Sequence, residues 1–258
     1  MLKKYSLNNF DLLYELVKTS FKLKYNGSML GFFWVLLKPF LQFSILYIVF
    51  SNFSRNQEID GFAIYLLIGV VNFSFIQDGV VSGVNSILGK ANIVLKVNFN
   101  KELTVYSNII LAIINLIINY LIVIIFSTFN EVHITFYSFL YVILIMLVQT
   151  TVLTALAFFT SILTVRFRDL QHIAEVSMQL LFYGSAIFYP IEIVPEKFRE
   201  ILELNPIYIF IQATRNAVLE GEVTLYAKLI AVFLASLIML LIGRLYFNSQ
   251  IKRVAEYI

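Results

Sequence analysis

The side chains able to do chemistry in this chain are few and scattered. There is no cysteine, so thiol catalysis, disulfides and thiolate metal sites are excluded. The two histidines, His133 and His172, lie far apart, which argues against a zinc or haem site. His172 follows Asp169 by three residues, a helical spacing at which the two can touch. No glycine-rich loop ends in Lys-Ser or Lys-Thr, so the chain does not bind ATP in the P-loop manner. Asp78 is the one acid inside a long apolar run. An acid there is a functional candidate by default, although its place near the inner end of the run weakens the case. A proton-driven carrier would show several such groups. What is left is fixed charge: Lys90, Lys96, Lys101 and Glu102 in one polar segment, Arg166, Arg168 and Asp169 in a tight turn, and Arg215 alone in a later apolar run. Such groups can pair or dock a partner, and they do not form a catalytic constellation.

The turn Arg166-Phe167-Arg168-Asp169 opens the most unusual stretch of the chain, 166–221. An apolar run, 173–189, ends where Pro190 and Pro195 break it, and a charged segment follows. A second apolar run begins after Asn205-Pro206, carries Arg215 and ends at Gly221. Asn205 can cap a helix with Pro206 at its first position. The 13 residues of 207–219 are too few to cross a bilayer upright. Irregular backbone at membrane depth is tolerated only where protein or a water-filled cavity surrounds it. The break therefore reads either as part of a transport path or as a structural outer loop. Arg215 must face protein or water, because facing lipid costs several kcal/mol.

The elements that carry these residues follow from composition. The chain is 60% hydrophobic and 14% charged, with mean hydropathy +0.84. Soluble domains are nearer 45–50% apolar and about 25% charged, so this is an integral membrane protein. Its fold class is all-α, in a single transmembrane domain over 1–258. Six spans are expected, at 31–53, 62–83, 103–129, 136–165, 173–189 and 226–247. Before them, 9–24 reads as an amphipathic helix. Phe10, Leu13, Val17 and Phe21 repeat at helical spacing, with Asp11, Glu15, Lys18 and Lys22 on another side. With four charges it lies in the membrane interface or packs on a protein partner. Pro39 should kink the first turns of the first span, and Lys38 can snorkel. The segment 89–102, with Ile93, Val94, Leu95, Val97 and Phe99 among its lysines, reads as a surface helix. Between the fifth and sixth spans, 190–221 is expected to form an outer re-entrant helical hairpin.

Basic residues set the orientation. With the N-terminus inside, 14 of the 19 lysines and arginines fall on inner segments and 5 on outer ones. Both termini are then cytoplasmic.

In this order and spacing, the chain resembles the ABC-2 type permeases, and among them the exporters of polysaccharide and polyol-phosphate polymers (O-antigen, capsule and teichoic-acid systems). The first match is Tyr25-x-x-Ser28-x-Leu30-Gly31-x-x-Trp34, followed by Pro39 and Phe50. The second is Phe167-Arg168-Asp169, then Ile187-Phe188-Tyr189-Pro190, then Asn205-Pro206 and Arg215. Each motif alone is weak, and together on six spans they are specific. The chain departs from the family's usual pattern at Phe99-Asn100, where Phe-Pro is common, and at Ser185-Ala186-Ile187, where Ser-Pro-Ile is common.

The resemblance implies a permease subunit, not an enzyme, in a bacterial or archaeal inner or plasma membrane. It would pair with a second copy of itself and with two copies of a separate cytoplasmic ATPase, which would hold the ATP and Mg. No cofactor and no nucleic acid are expected in this chain. Lys90, Lys96, Lys101, Glu102, Arg166, Arg168 and Asp169 would couple to the ATPase. Tyr25, Ser28, Gly31 and Trp34 would form the interface on the side where substrate enters. Tyr189, Pro190, Asn205, Pro206 and Arg215 would belong to the transport path or its outer gate. The substrate would be a lipid-linked glycan, moved outward among membrane lipids. The alternative is an ABC-2 exporter of a drug or small lipid. A membrane-bound transferase would need clustered His, Asp or Glu, and an autonomous carrier more buried charge.

Overall fold

Apolar runs of this length fold as helices because, without water, each backbone donor and acceptor must be satisfied within its own segment. The computed structural model describes residues 8–56, 61–132 and 134–256, and every regular element among them is helical. His133, named above, lies outside the described residues, as do Lys3 and Lys4 among the inner basic residues. The helices are α1 (Asn9–Tyr25), α2 (Trp34–Asn56), α3 (Phe62–Val84), α4 (Ala91–Lys96), α5 (Glu102–Phe129), α6 (Phe136–Arg166), α7 (Leu170–Tyr183), α8 (Glu196–Leu204), α9 (Pro206–Arg215) and α10 (Tyr226–Gln250).

Among the described residues, five stretches are long and apolar enough to cross a membrane: Gly31–Ser51, Phe62–Val84, Glu102–Phe129, Phe136–Arg166 and Tyr226–Val254. They coincide with five of the six expected spans. The remaining run, 173–189, folds differently. Its helix, α7, has 14 residues, about 21 Å at 1.5 Å per residue, against a hydrocarbon core of about 30 Å. It ends before Gly184, and Ala186 takes a left-handed φ of 52°. The expected boundary at Tyr189 is thus corrected to Tyr183. Residues 184–189 leave the helix, and the carbonyls of Ala186, Ile187 and Tyr189 are bound instead by side chains of α9 and α3.

The core gathers around α3, which packs against α2, α5, α6, α7 and α9 and buries residues on every side, Ile64, Leu67, Val70 and Phe73 among them. Lipid tails are as apolar as leucine, so helices in a bilayer associate through close packing, which small residues permit. Gly79 and Gly83, one turn apart on α3, provide it against α6. A Cβ on Gly79 would lie 2.6 Å from Leu153 Cδ1, and one on Gly83 2.8 Å from the Ala157 Cβ. On α10, a Cβ at Gly243 would meet the Phe159 ring at 2.8 Å, and Thr151 of α6 hydrogen-bonds Ser236 at 2.9 Å.

The amphipathic helix α1 lies along α5 of its own chain, burying Leu16 and Tyr25, while Asp11, Glu15, Lys18 and Lys22 stay exposed. The segment after α3 contains the expected short surface helix, α4. Pro39 sits inside α2. Beyond Pro190, α8 packs on α9 and leaves Phe198, Ile201 and Leu204 exposed, whereas α9 is buried along most of its length.

Candidate functional site

Polar residues recur on two helices at intervals that keep them on one face. On α3 these are Ser74, Asp78 and Ser82. On α5 they are Asn108, Asn115 and Asn119. The two stripes meet. Asn108 Nδ2 donates to the Ser82 carbonyl at 2.8 Å, and Asn115 Nδ2 donates to Asp78 Oδ2 at 3.1 Å. Where α1 and α2 close over this seam, a cleft of about 300 Å³ opens. Lys24, Tyr25, Trp34, Lys38, Asp78, Asn115 and Asn119 are among its walls.

The turn between α1 and α2 positions the aromatic side of the cleft. Gly27 and Gly31 both take positive φ, 92° and 46°, conformations that glycine adopts without a Cβ penalty. The chain therefore reverses sharply enough for Trp34 Nε1 to donate to Ser28 Oγ at 3.1 Å. Tyr25 points inward, its hydroxyl donating to Asn115 Oδ1 at 3.0 Å. Burial raises the pKa of this phenol, so it stays a donor. Lys24 Nζ reaches the same Asp78 oxygen that Asn115 holds, at 3.2 Å. Thus Tyr25, Trp34 and Asp78 line the cleft, while Ser28 and Gly31 shape the turn that holds Trp34 there. Lys24, Lys38, Asn115 and Asn119 were missed. The available signal was the seven- and four-residue spacing of asparagines in an otherwise apolar helix.

A second polar cluster lies deeper. Asn72 of α3 donates to the Tyr120 hydroxyl at 3.1 Å and accepts from Gln149 Nε2 at 3.1 Å, tying α3, α5 and α6 together. Asn72 and Gln149 are fully buried. Neither stood out in the sequence.

The seven expected coupling residues divide. Lys90 turns inward, its Nζ donating to Ser107 Oγ at 2.5 Å and to Asn108 Oδ1 at 2.8 Å. Burial pulls its pKa down to about 8. Glu102 also turns inward, accepting from Arg244 Nε at 2.8 Å and Asn248 Nδ2 at 2.7 Å, with 4% of its side chain exposed. These two clamp the α4 segment and α10 to α5. Lys96 is exposed, and Lys101 is half-buried. Arg166 donates to Gln250 Oε1 at 2.7 Å. Arg168 and Asp169 are exposed, and among the described residues neither forms an ion pair, the first of the two roles open to that turn. Backbone bonds hold it instead, among them Leu170 N to Phe167 O at 3.1 Å and Ile173 N to Asp169 O at 3.0 Å. His172 faces Glu175 at 4.0 Å rather than Asp169.

The residues expected at the outer gate also gather, as a lock rather than an open wall. Asn205 Oδ1 caps α9 by accepting from Ile207 N at 3.0 Å, with Pro206 at the first helical position as expected. Its Nδ2 donates to Ser185 Oγ at 3.1 Å. Arg215, 1% exposed, donates to the carbonyls of Tyr65 at 3.1 Å, Ala186 at 3.1 Å and Ile187 at 2.6 Å. Its guanidinium lies 3.4 Å from the centroid of the Tyr65 ring. Tyr65 in turn donates to the Tyr189 carbonyl at 3.2 Å, and the extended Pro190 follows. In the irregular stretch 184–190, these partners satisfy the carbonyls of Ala186, Ile187 and Tyr189.

The chain matches the description "ABC-2 type transporter" over residues 11–219, a stretch that includes most of α1, the cleft and the outer lock. It belongs to the ABC-2 type transporter family. Among similar proteins are two permeases from Klebsiella pneumoniae, each named O-antigen export system permease protein RfbA. One is 26% identical over 255 residues and the other 25% over 254, each alignment covering 98% of this chain and 97% of the relative. The RfbA permease of Myxococcus xanthus is 25% identical over 249 residues, covering 96% of this chain and 95% of the relative. This ABC-2 subunit is accordingly a multi-pass membrane protein. Members of its family are the transport subunits of exporters and work with an ATP-binding partner.

Proposed function

We propose that this chain is the permease subunit of an ATP-driven exporter that moves a lipid-linked polysaccharide from the cytoplasmic side across the inner or plasma membrane. The observation that carries this reading is the end-to-end similarity to O-antigen export permeases. The relatives do not favour the drug or small-lipid exporter. In this reading two copies of the permease pair with two copies of a cytoplasmic ATPase, and ATP and Mg are held by that partner. Both termini face the cytoplasm, in line with the 14 basic residues that fall on inner segments.

The chain then crosses six times. The fifth crossing is made by α7 together with the non-helical residues that follow, where Arg215 binds the Ala186 and Ile187 carbonyls. The helices α8 and α9 form the outer re-entrant pair. Lys96, Lys101, Arg168 and Asp169, on the cytoplasmic face, meet the ATPase.

The test is deletion of this chain from its source cell. Loss of surface polysaccharide, with lipid-linked polymer accumulating inside and restored by the plasmid-borne chain, is expected. Normal surface polymer in the deletion strain overturns the reading.

A further inference from the structure

We propose that the cleft enclosed by α1, α2, α3 and α5 binds the phosphate or pyrophosphate group of the lipid-linked substrate, together with the sugar next to it. This rests on the export reading above and names where that substrate is first held.

Charge is the first argument. Two ammonium groups, Lys24 and Lys38, and one carboxylate, Asp78, line the cleft, leaving it with a net positive charge. Asp78 is engaged by Lys24 at 3.2 Å and by Asn115 at 3.1 Å. Lys38 is exposed and has no ion-pair partner among the described residues. A cation would meet two like charges there. An anion meets one free ammonium and can draw a second from Asp78.

An unmet hydrogen bond is the second. Asn119 lines the same cleft, is 6% exposed, and its Oδ1 has no partner among the described residues. A buried polar group without a partner is costly, and such groups in native proteins call for an explanation. A hydroxyl of the ligand would supply the missing donor.

Size and shape are the third. A cavity of about 300 Å³ is at the small end of ligand pockets. It holds a phosphate and one sugar, and not a polymer. Trp34 stands at its wall, 44% exposed, with its indole N–H already donated to Ser28. Its free π-face is left for the C–H groups of a sugar ring. Asp78 acts as the cleft's own anion, keeping Lys24 in place until phosphate displaces it.

Trp34 is the only tryptophan in the chain, so intrinsic emission reads this cleft directly. The purified full-length permease in phosphatidylcholine nanodiscs is titrated with farnesyl diphosphate, inorganic pyrophosphate or farnesol. Helicity is followed by circular dichroism. Saturable emission changes are expected with the two diphosphates and none with farnesol. Lys38→Ala should weaken farnesyl diphosphate binding at least tenfold, and Lys38→Arg should restore most of it. Asp78→Asn should tighten binding several-fold, a direction that loss of structure cannot mimic. Equal responses to farnesol and its diphosphate overturn the proposal, as do unchanged affinities in Lys38→Ala and Asp78→Asn. Nanodiscs of phosphatidylglycerol test bulk lipid as the source of phosphate: if they abolish the response to farnesyl diphosphate, the occupant is membrane phospholipid and the substrate assignment fails. A chain that supports export while Trp34 ignores diphosphates overturns this site alone. A chain that binds diphosphates and exports nothing overturns the export reading alone.

Discussion

Gly69 and Arg215 are so close that a Cβ on the glycine would lie 2.8 Å from the arginine's Nη2. The missing side chain on α3 is what lets a guanidinium lie flat inside the bundle, beneath three carbonyls. Removing either half of this arrangement leaves buried carbonyls unsatisfied. Hydrogen bonds to charged groups are worth about 1.5–3 kcal/mol each. Three such bonds are lost at once and contributions of neighbours do not add fully, so Arg215→Met should lower stability by at least about 3 kcal/mol and reduce the amount of protein in the membrane. Arg215→Lys should recover little, because one ammonium cannot reproduce the planar fork. Thermal unfolding of the purified permease checks this, and a wild-type midpoint for Arg215→Met would refute the lock.

Lys90 should give stability an unusual pH dependence. Burial holds its folded pKa near 8 against an ordinary value of 10.5. Between these values the unfolded chain binds more protons, so this residue's contribution to stability rises as pH increases from about 8 to 10.5. It is level below pH 8. Wild type should thus gain on Lys90→Met across that window, by at most about 3 kcal/mol. Unfolding curves for both proteins at pH 7, 8.5 and 10 test it, and a pH-independent difference counts against it.

Glu102 and Arg244 connect α5 to α10 across 142 residues of sequence. Truncating Glu102 leaves Arg244 and Asn248 without their shared acceptor. Glu102→Ala should cost about 1–3 kcal/mol, and a double-mutant cycle with Arg244→Met should give a coupling of about 0.5–2 kcal/mol. Additive losses would mean the pair does not join the two helices.

Exposed charges should behave in the opposite way. Lys96 is exposed, and surface ion pairs are worth about 0–1 kcal/mol, so reversal to Glu should leave the unfolding midpoint unchanged. Combined reversal of Lys96 and Lys101 should nevertheless reduce co-purification of the ATPase, as should Arg168→Ala. Full recovery of the complex from both variants would remove these residues from the contact.

Because the chain contains no cysteine, single introduced cysteines give unambiguous labelling. Positions 196 and 222 should react with an impermeant reagent from outside intact cells, while buried Ile211 should not. If positions 203 and 222 label from opposite sides, α9 crosses the membrane and the re-entrant arrangement is wrong.

By itself the sequence determined whatever depends on residues within a few turns of one another. Apolar length set the five long helices, a mixed face set α1, and Asn205 next to Pro206 set the start of α9. The presence of Arg215 in an apolar run required that it be sheltered from lipid. Only the tertiary structure decided what shelters it, because the carbonyls it binds lie 28, 29 and 150 residues away. The same contact explains why the helix stops at Tyr183 although the apolar run continues to Tyr189: hydropathy reads burial, and burial does not distinguish helix from backbone satisfied by a guanidinium. Lys90 and Lys96 look alike in sequence, and so do Glu102 and an exposed acid. Charge dictates that a side chain needs a partner or water. Which of the two it gets depends on neighbours such as Ser107 and Arg244, brought close only when the helices pack.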